Sequence, residues 1–221
     1  MSKTAGPVNV AILAVPEVSA SAIFGMIDLF SAPGRDFEFI TRGTAGEQRM
    51  RPYIVAKNKT GFSAANGIRI QPDYEFSDCP TPEIVCIPDC FVNPKVSIAG
   101  LYAAEALWLK RVHGDGAMLS SACSGAVLLG EAGLLTNCEA TTHWGYVAML
   151  SDNYPNVKVR PHRSLVLSGE AQRIVMAGAV RAGRTWRSIS LPASLGLRKR
   201  WKLRVCFCCN GTILASSPSA H

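Results

Sequence analysis

The chain has 221 residues, 48% of them apolar and 18% charged, with 23 Lys and Arg against 16 Asp and Glu. That balance excludes a disordered or fibrous chain, and the length is enough for one large domain, or a medium domain plus a tail, that folds without staples. No apolar run reaches the ~18–20 residues of a membrane span, and residues 1–7 lack a signal-peptide layout, so the eight Cys read as reduced thiols of a cytoplasmic protein.

Residues 8–15 are a short apolar run ended by Pro16, which predicts a buried parallel strand. Ser19 or Ser21 can cap the next segment, where Ile23, Met26, Ile27 and Phe30 recur at helical spacing until Pro33-Gly34. Residues 35–50 are polar and Gly-containing and read as loop. Residues 53–56 form a second strand, and Asn66-Gly67 is a hairpin signal inside the weak alternation of residues 62–70. Residues 83–88 are a third buried strand. Residues 97–112 are predicted as a helix with Ile98, Leu101, Tyr102, Leu107, Leu109 and Val112 on its apolar face. Residues 117–122 form a fourth strand and 124–133 a second short helix; 139–143, 158–160, 165–168 and 173–177 read as further strands, and 146–150 as helical. Strand–helix alternation with short Gly- and Pro-containing links predicts an α/β sandwich with a mainly parallel sheet.

After Gly178 the pattern changes. Residues 179–221 hold six Arg, two Lys and no Asp or Glu, while residues 1–178 carry 15 basic and 16 acidic side chains. The apolar residues of this tail follow neither period 2 nor 3.6 for long, and Pro192 and Gly196 interrupt any helix. A basic tail points to nucleic acid or an anionic surface, but no helix-turn-helix pattern accompanies it.

Chemistry centres on residues 119–126, Leu-Ser-Ser-Ala-Cys-Ser-Gly-Ala. A strand runs directly into small residues and then a helix, a layout that exposes a nucleophile at the carboxyl end of a sheet. A helix N-terminus there lowers a thiol pKa, so Cys123 is expected to be moderately acidified. The alternative is that Cys123 is a small buried core residue. His143 could orient or deprotonate a group in the pocket; the blander and favoured reading has it capping the Trp144 helix. Glu17 and Asp89 end strands on the Cys123 side and are pocket candidates. No CxxC…CxxC or HExxH spacing is present, and neither metal nor cofactor is expected.

The motifs Cys123-Ser124-Gly125, Leu128 to Leu135, Ala140-Thr141-Thr142-His143-Trp144, residues 10–16 and residues 168–178 resemble the ThiJ/PfpI superfamily, and more narrowly the amidotransferase-like sensor domain of GlxA-type AraC-family transcriptional regulators. The resemblance covers residues 8–178. It implies a flavodoxin-like three-layer sandwich, Cys123 at a nucleophile elbow, homodimerisation, and a small polar metabolite (an amino acid or quaternary amine) bound near Cys123 by Ser124, Asp89, Cys90, Glu17 and His143. This chain departs from the superfamily's enzymes in ways that bear on catalysis. Ala22 occupies the place of the acid beside the thiol, Ser124 stands where proteases carry His, and Pro88-Asp89-Cys90 replaces the Gly residues that supply an oxyanion N–H.

The expectation is therefore a 1–178 sensor domain of a regulator, truncated before its DNA-binding domain, with no specific DNA binding of its own. The alternative is a cysteine-dependent hydrolase or hydratase. GC-rich codons for residues 179–221, read in a shifted frame, permit a string with helical periodicity, balanced charge and a Pro-Glu-Glu cap that resembles the family's continuation. The atypical tail is accordingly read as a frameshift product.

Overall fold

The computed structural model describes residues 6–178 and the backbone of 187–190 and 202–205. In chain order the elements are β1 (Val8–Leu13), α1 (Ala20–Ser31), α2 (Asp36–Arg42), β2 (Met50–Ala56), β3 (Phe62–Ser63), β4 (Arg69–Ile70), β5 (Tyr74–Glu75) and β6 (Ile84–Ile87). They continue with α3 (Ala103–Gly114), β7 (Met118–Ala122), α4 (Ala126–Glu131), β8 (Glu139–Ala140), α5 (Val147–Asn153), β9 (Lys158–Val159), β10 (Leu165–Ser168) and β11 (Ile174–Ala177). Finally, β12 (Arg187–Ser190) pairs antiparallel with β13 (Lys202–Val205).

Seven strands make one sheet in the order β10-β11-β7-β6-β1-β2-β5. Every neighbouring pair is parallel except β10 with β11. The near-continuous apolar runs of β1 and β6 follow from this, because a parallel strand is buried on both faces. Along β1, Val10 and Ile12 join a core with Ile23, Met26 and Phe30 of α1. Ala11 and Leu13 point the other way, into a core shared with Leu109 and Val112 of α3 and Leu128 and Leu129 of α4. Each fully buried large aliphatic side chain contributes about 1.5–3 kcal/mol, so a one-residue slip in β1 would misplace its whole set. Two helical layers on a mainly parallel sheet are the flavodoxin-like three-layer sandwich expected from the sequence.

Two expectations need correction. Residues 35–50 are not all loop: α2 forms, with Asp36 and Glu38 in its first turn, Arg42 paired to Glu38 at 2.9 Å, and Gly43 closing it in the left-handed region at φ 72°. The helix expected over 97–112 begins only at Ala103, which leaves Leu101 outside it and 64% exposed; Leu107 lies within the helix but on its outer face, 68% exposed, while Ala106, Trp108, Leu109 and Val112 are buried. Within the tail, β12 and β13 pair with each other; the rest of 179–221 lies outside the described residues.

Parallel pairing places the carboxyl ends of β1, β6 and β7 side by side on one edge of the sheet. The loops leaving them carry Glu17, Asp89-Cys90 and Cys123-Ser124.

Candidate functional site

Strand β7 reaches the turn extended, with Ala122 at φ −118° and ψ 144°, and Cys123 then reverses to φ 56°. A non-glycine residue held there stores about 1–3 kcal/mol and persists only where its surroundings fix it. They do so from two sides. The Cys123 carbonyl accepts hydrogen bonds from Thr142 Oγ1 at 3.0 Å and from the His143 N–H at 3.1 Å. Gly125 lets the turn press onto the end of β6: a Cβ there would lie 2.1 Å from the Pro88 carbonyl oxygen and 2.6 Å from that of Ile87. The turn Cys123–Gly125 is a single 3-10 turn leading into α4. The small residues expected to make a sharp strand-to-helix turn do make one.

Residues 88–92 form a lid over this turn, and their hydrogen bonds run to four other segments. The Cys90 N–H donates to Ser124 Oγ at 2.8 Å, with both residues buried. Ser19 donates to the Asp89 carboxylate twice, through its N–H at 3.2 Å and through its hydroxyl. The Phe91 N–H donates to the Glu17 carbonyl at 2.8 Å, and Tyr146 donates its hydroxyl proton to the Val92 carbonyl at 2.9 Å. Beneath the lid the Cys90 thiol sits 3.6 Å from the Tyr102 hydroxyl. Glu17 Oε2 is buried with no hydrogen-bond partner, as is Ser121 Oγ on β7.

The electrostatics follow from this enclosure. Burial pushes the Cys123 thiol above its ordinary range, and the Asp89 carboxylate pushes it further; hydrogen bonds from Ser124 act the other way without outweighing them. This runs against the expected acidification, burial being the largest influence on the thiol. Cys90 is pushed up to about 12, first by burial, with Glu17, Asp89 and Glu105 acting in the same direction. Burial also raises Tyr102 and Tyr146 and lowers His143.

Cys123, Ser124, Asp89, Cys90 and Glu17 thus converge on one edge, as expected. His143 joins them through its backbone, while its ring serves the helix end: Nδ1 accepts the Gly145 N–H at 3.1 Å, which is the favoured capping reading. Ala22 is buried in α1, and the side chain of Asp89, on the loop after β6, is bonded to Ser19. Sequence reasoning missed Tyr102 and Tyr146 as parts of this site and took Ser19 only as a cap. Ser19 does stand at the N-cap of α1, yet its side chain makes no capping bond and goes to Asp89, which no local signal announces. Among the described residues no group of three or more His, Cys, Asp or Glu side chains could hold a metal ion, and no helix is long and apolar enough to cross a membrane.

No family model matches the chain. It is 28% identical over 100 residues to an isonitrile hydratase of Pseudomonas putida, an alignment covering 44% of this chain and 42% of that protein. It is 36% identical over 109 residues to the HTH-type transcriptional regulator CdhR of Pseudomonas aeruginosa, covering 49% of this chain and 31% of the regulator. The chain thus spans less than half the length of both relatives. Among solved structures, a ThiJ/PfpI family protein from Pseudomonas syringae superposes with a TM-score of 0.56 at 22% identity, over 78% of this chain and 63% of that one. An AraC family transcriptional regulator from Pseudomonas putida superposes with a TM-score of 0.56 at 16% identity, over 77% of this chain and 81% of that one. The resemblance read from the elbow and its flanking motifs is borne out: the chain carries the ThiJ/PfpI fold, shared with proteins that include transcriptional regulators.

Proposed function

We propose that residues 1–178 are the small-metabolite-sensing, amidotransferase-like domain of an AraC/GlxA-type transcriptional regulator. The observation that carries this reading is the hydrogen bond from the Cys90 N–H to Ser124 Oγ. On the resemblance, the loop of Pro88-Asp89-Cys90 is where an oxyanion N–H would come from, and the Cys90 N–H is already spent on Ser124, while burial pushes the Cys123 thiol up. A nucleophile without a base or free donors catalyses little, which favours a binding role for these residues over a catalytic one. The regulator relatives support the same side. The ligand is a small polar metabolite, an amino acid or quaternary amine, held near Cys123 by Ser124, Asp89, Cys90, Glu17 and His143. The domain is cytoplasmic and works as a homodimer, which gel filtration tests.

A thermal-shift screen with amino acids, betaines and small amides tests the sensor reading. A binder at 100 times its dissociation constant adds about 2.7 kcal/mol. If nothing in the panel shifts the melt while the chain turns over an isonitrile, an ester or an amide, the reading fails. That outcome belongs to the second reading, a cysteine-dependent hydratase or hydrolase, which the isonitrile hydratase relative and the strained Cys123 backbone favour.

Residues 179–221 are, on this proposal, the product of a frameshift near codon 179. The nucleotide sequence around codons 175–182 tests it, and a family-like reading frame absent there rejects it. Charge without a groove-seated element binds phosphates alone, so the chain should not distinguish a promoter fragment from random DNA, and any low-salt binding should largely vanish by about 200 mM salt. A footprint on one defined site at physiological salt contradicts this.

A further inference from the structure

Ala122 and Ala177 are register partners on the parallel strands β7 and β11, so Cys123 and Gly178 leave the sheet side by side. Cys123 is the elbow, and Gly178 is where the sandwich passes on to residues 179–221. We propose that residues 141–143 are a strap that couples the two, so that a change at the elbow is felt at Gly178 and the reverse. That the change is a ligand's arrival rests on the sensor reading; the coupling itself does not.

The strap is built from printed-on contacts at both ends. Thr141 and Thr142 are buried, and their hydroxyls serve different segments. Thr142 Oγ1 donates to the Cys123 carbonyl at 3.0 Å, and the His143 N–H donates to the same oxygen at 3.1 Å. Thr141 Oγ1 donates to the Arg163 carbonyl at 2.6 Å, and the next carbonyl, that of Ser164, accepts the Gly178 N–H at 3.1 Å. Gly178 lies so close that a Cβ there would sit 2.8 Å from Thr141 Oγ1 and 2.9 Å from the Thr142 carbonyl oxygen. The foot of the strap is fixed: the Arg160 N–H donates to the Ala140 carbonyl at 2.7 Å, and the Ser168 hydroxyl donates to the Glu139 carbonyl.

Cys123 supplies the element with two arrangements. Its φ of 56° persists only while its neighbours hold it, and the strap provides two of the bonds that do so. A group pressed on the elbow loads those two bonds from one side. A Cβ at residue 178 loads them from the other, because close-packed buried groups leave no slack to absorb the shift. Such coupling is reciprocal, so either end reports on the other. On the sensor reading, it gives occupancy of the elbow a three-residue route to the point where the rest of a regulator would be attached.

The test uses the full 221-residue chain. Gly178→Ala drives a Cβ into the strap, and alkylation of Cys123 by iodoacetamide, mapped by mass spectrometry against Cys79 as reference, should quicken about fivefold or more. Thr141→Val keeps the side-chain shape, removes the bond to Arg163 and has no bond to the elbow of its own; it should quicken Cys123 labelling in the same direction. It carries the test alone if Gly178→Ala does not melt cooperatively. Gly114→Ala, which meets open space, should leave the ratio unchanged. If Cys123 does not label in the folded chain, hydrogen exchange of the Cys90 N–H, bonded to Ser124 across the elbow, is read by the same criterion. A folded Gly178→Ala or Thr141→Val chain in which the reporter does not move overturns the strap. A reporter that moves as expected, while no compound in the panel of amino acids, betaines and small amides shifts the melt, upholds the strap and counts against the sensor reading alone.

Discussion

The two edges of the central sheet solve the same problem in opposite ways. At the amino edge, strand ends are tied off with open contacts: the Asn9 N–H donates to Glu83 Oε2 at 2.8 Å, Asn9 Nδ2 to the Thr81 carbonyl at 3.2 Å, and Arg173 to the His113 carbonyl at 2.8 Å. No residue in these contacts has a positive φ, but Ala171 and Gln172, just before β11 at the same edge, do, at 51° and 55°. At the carboxyl edge the loops are bonded to one another, Cys123 is held at φ 56°, and two buried polar oxygens, Glu17 Oε2 and Ser121 Oγ, lack partners. Unpaired buried oxygens rather than backbone strain set the carboxyl edge apart, and such groups in a native structure call for an explanation.

The largest effect should come from closing the gap that the elbow needs. Gly125→Ala places a Cβ against two backbone carbonyls and should cost about 2–3 kcal/mol in chemical denaturation. Gly114→Ala, near the amino edge, meets open space and should change stability by less than about 0.5 kcal/mol. Equal losses would erase the distinction between the edges.

Next in size is Ser124→Ala. It leaves the buried Cys90 N–H without an acceptor and should cost about 1–3 kcal/mol. Asn9→Ala removes an exposed contact and should cost about 0.5 kcal/mol or less. A smaller loss for Ser124→Ala than for Asn9→Ala would mean that water reaches the lid.

The smallest effect is one the two edges share. Burial lowers both His113, at the amino edge, and His143, at the carboxyl edge, from 6.5. A base whose folded pKa is depressed is stabilised by staying neutral, so its contribution is present above the unfolded value and is lost as pH falls through the folded one. The melting temperature should therefore decline below about pH 6.5, and His113→Gln and His143→Gln should each flatten part of that decline. A melt independent of pH down to 5 would show that both rings are better solvated than their surroundings imply.

Much of the carboxyl edge was legible in the sequence because its parts are local. A strand running into Ala-Cys-Ser-Gly encodes both the reversal at Cys123 and the close approach at Gly125. The α2 helix carried its own signals, acids in the first turn and Gly43 after the last, but its shortness and its polar sequence hid them. What was not legible is long-range. The Ser19–Asp89 clamp joins residues 70 positions apart, and nothing near Ser19 distinguishes it from an ordinary cap. The sign of the Cys123 shift was misread for the same reason: a helix end is visible locally, whereas the lid of residues 88–92 and the Tyr146 hydroxyl that covers it are supplied by distant chain.

The most direct measurement combines the two halves of the account. Cys123 alkylation should be followed with and without a compound that raises the melting temperature in the panel of amino acids, betaines and small amides, with Cys138 labelling as the internal reference. A ligand seated at the carboxyl edge covers the elbow, so Cys123 labelling should slow at least severalfold while Cys138 labelling stays constant. A stabilising compound that leaves Cys123 labelling unchanged, or slows both thiols equally, would place the ligand elsewhere and contradict the account.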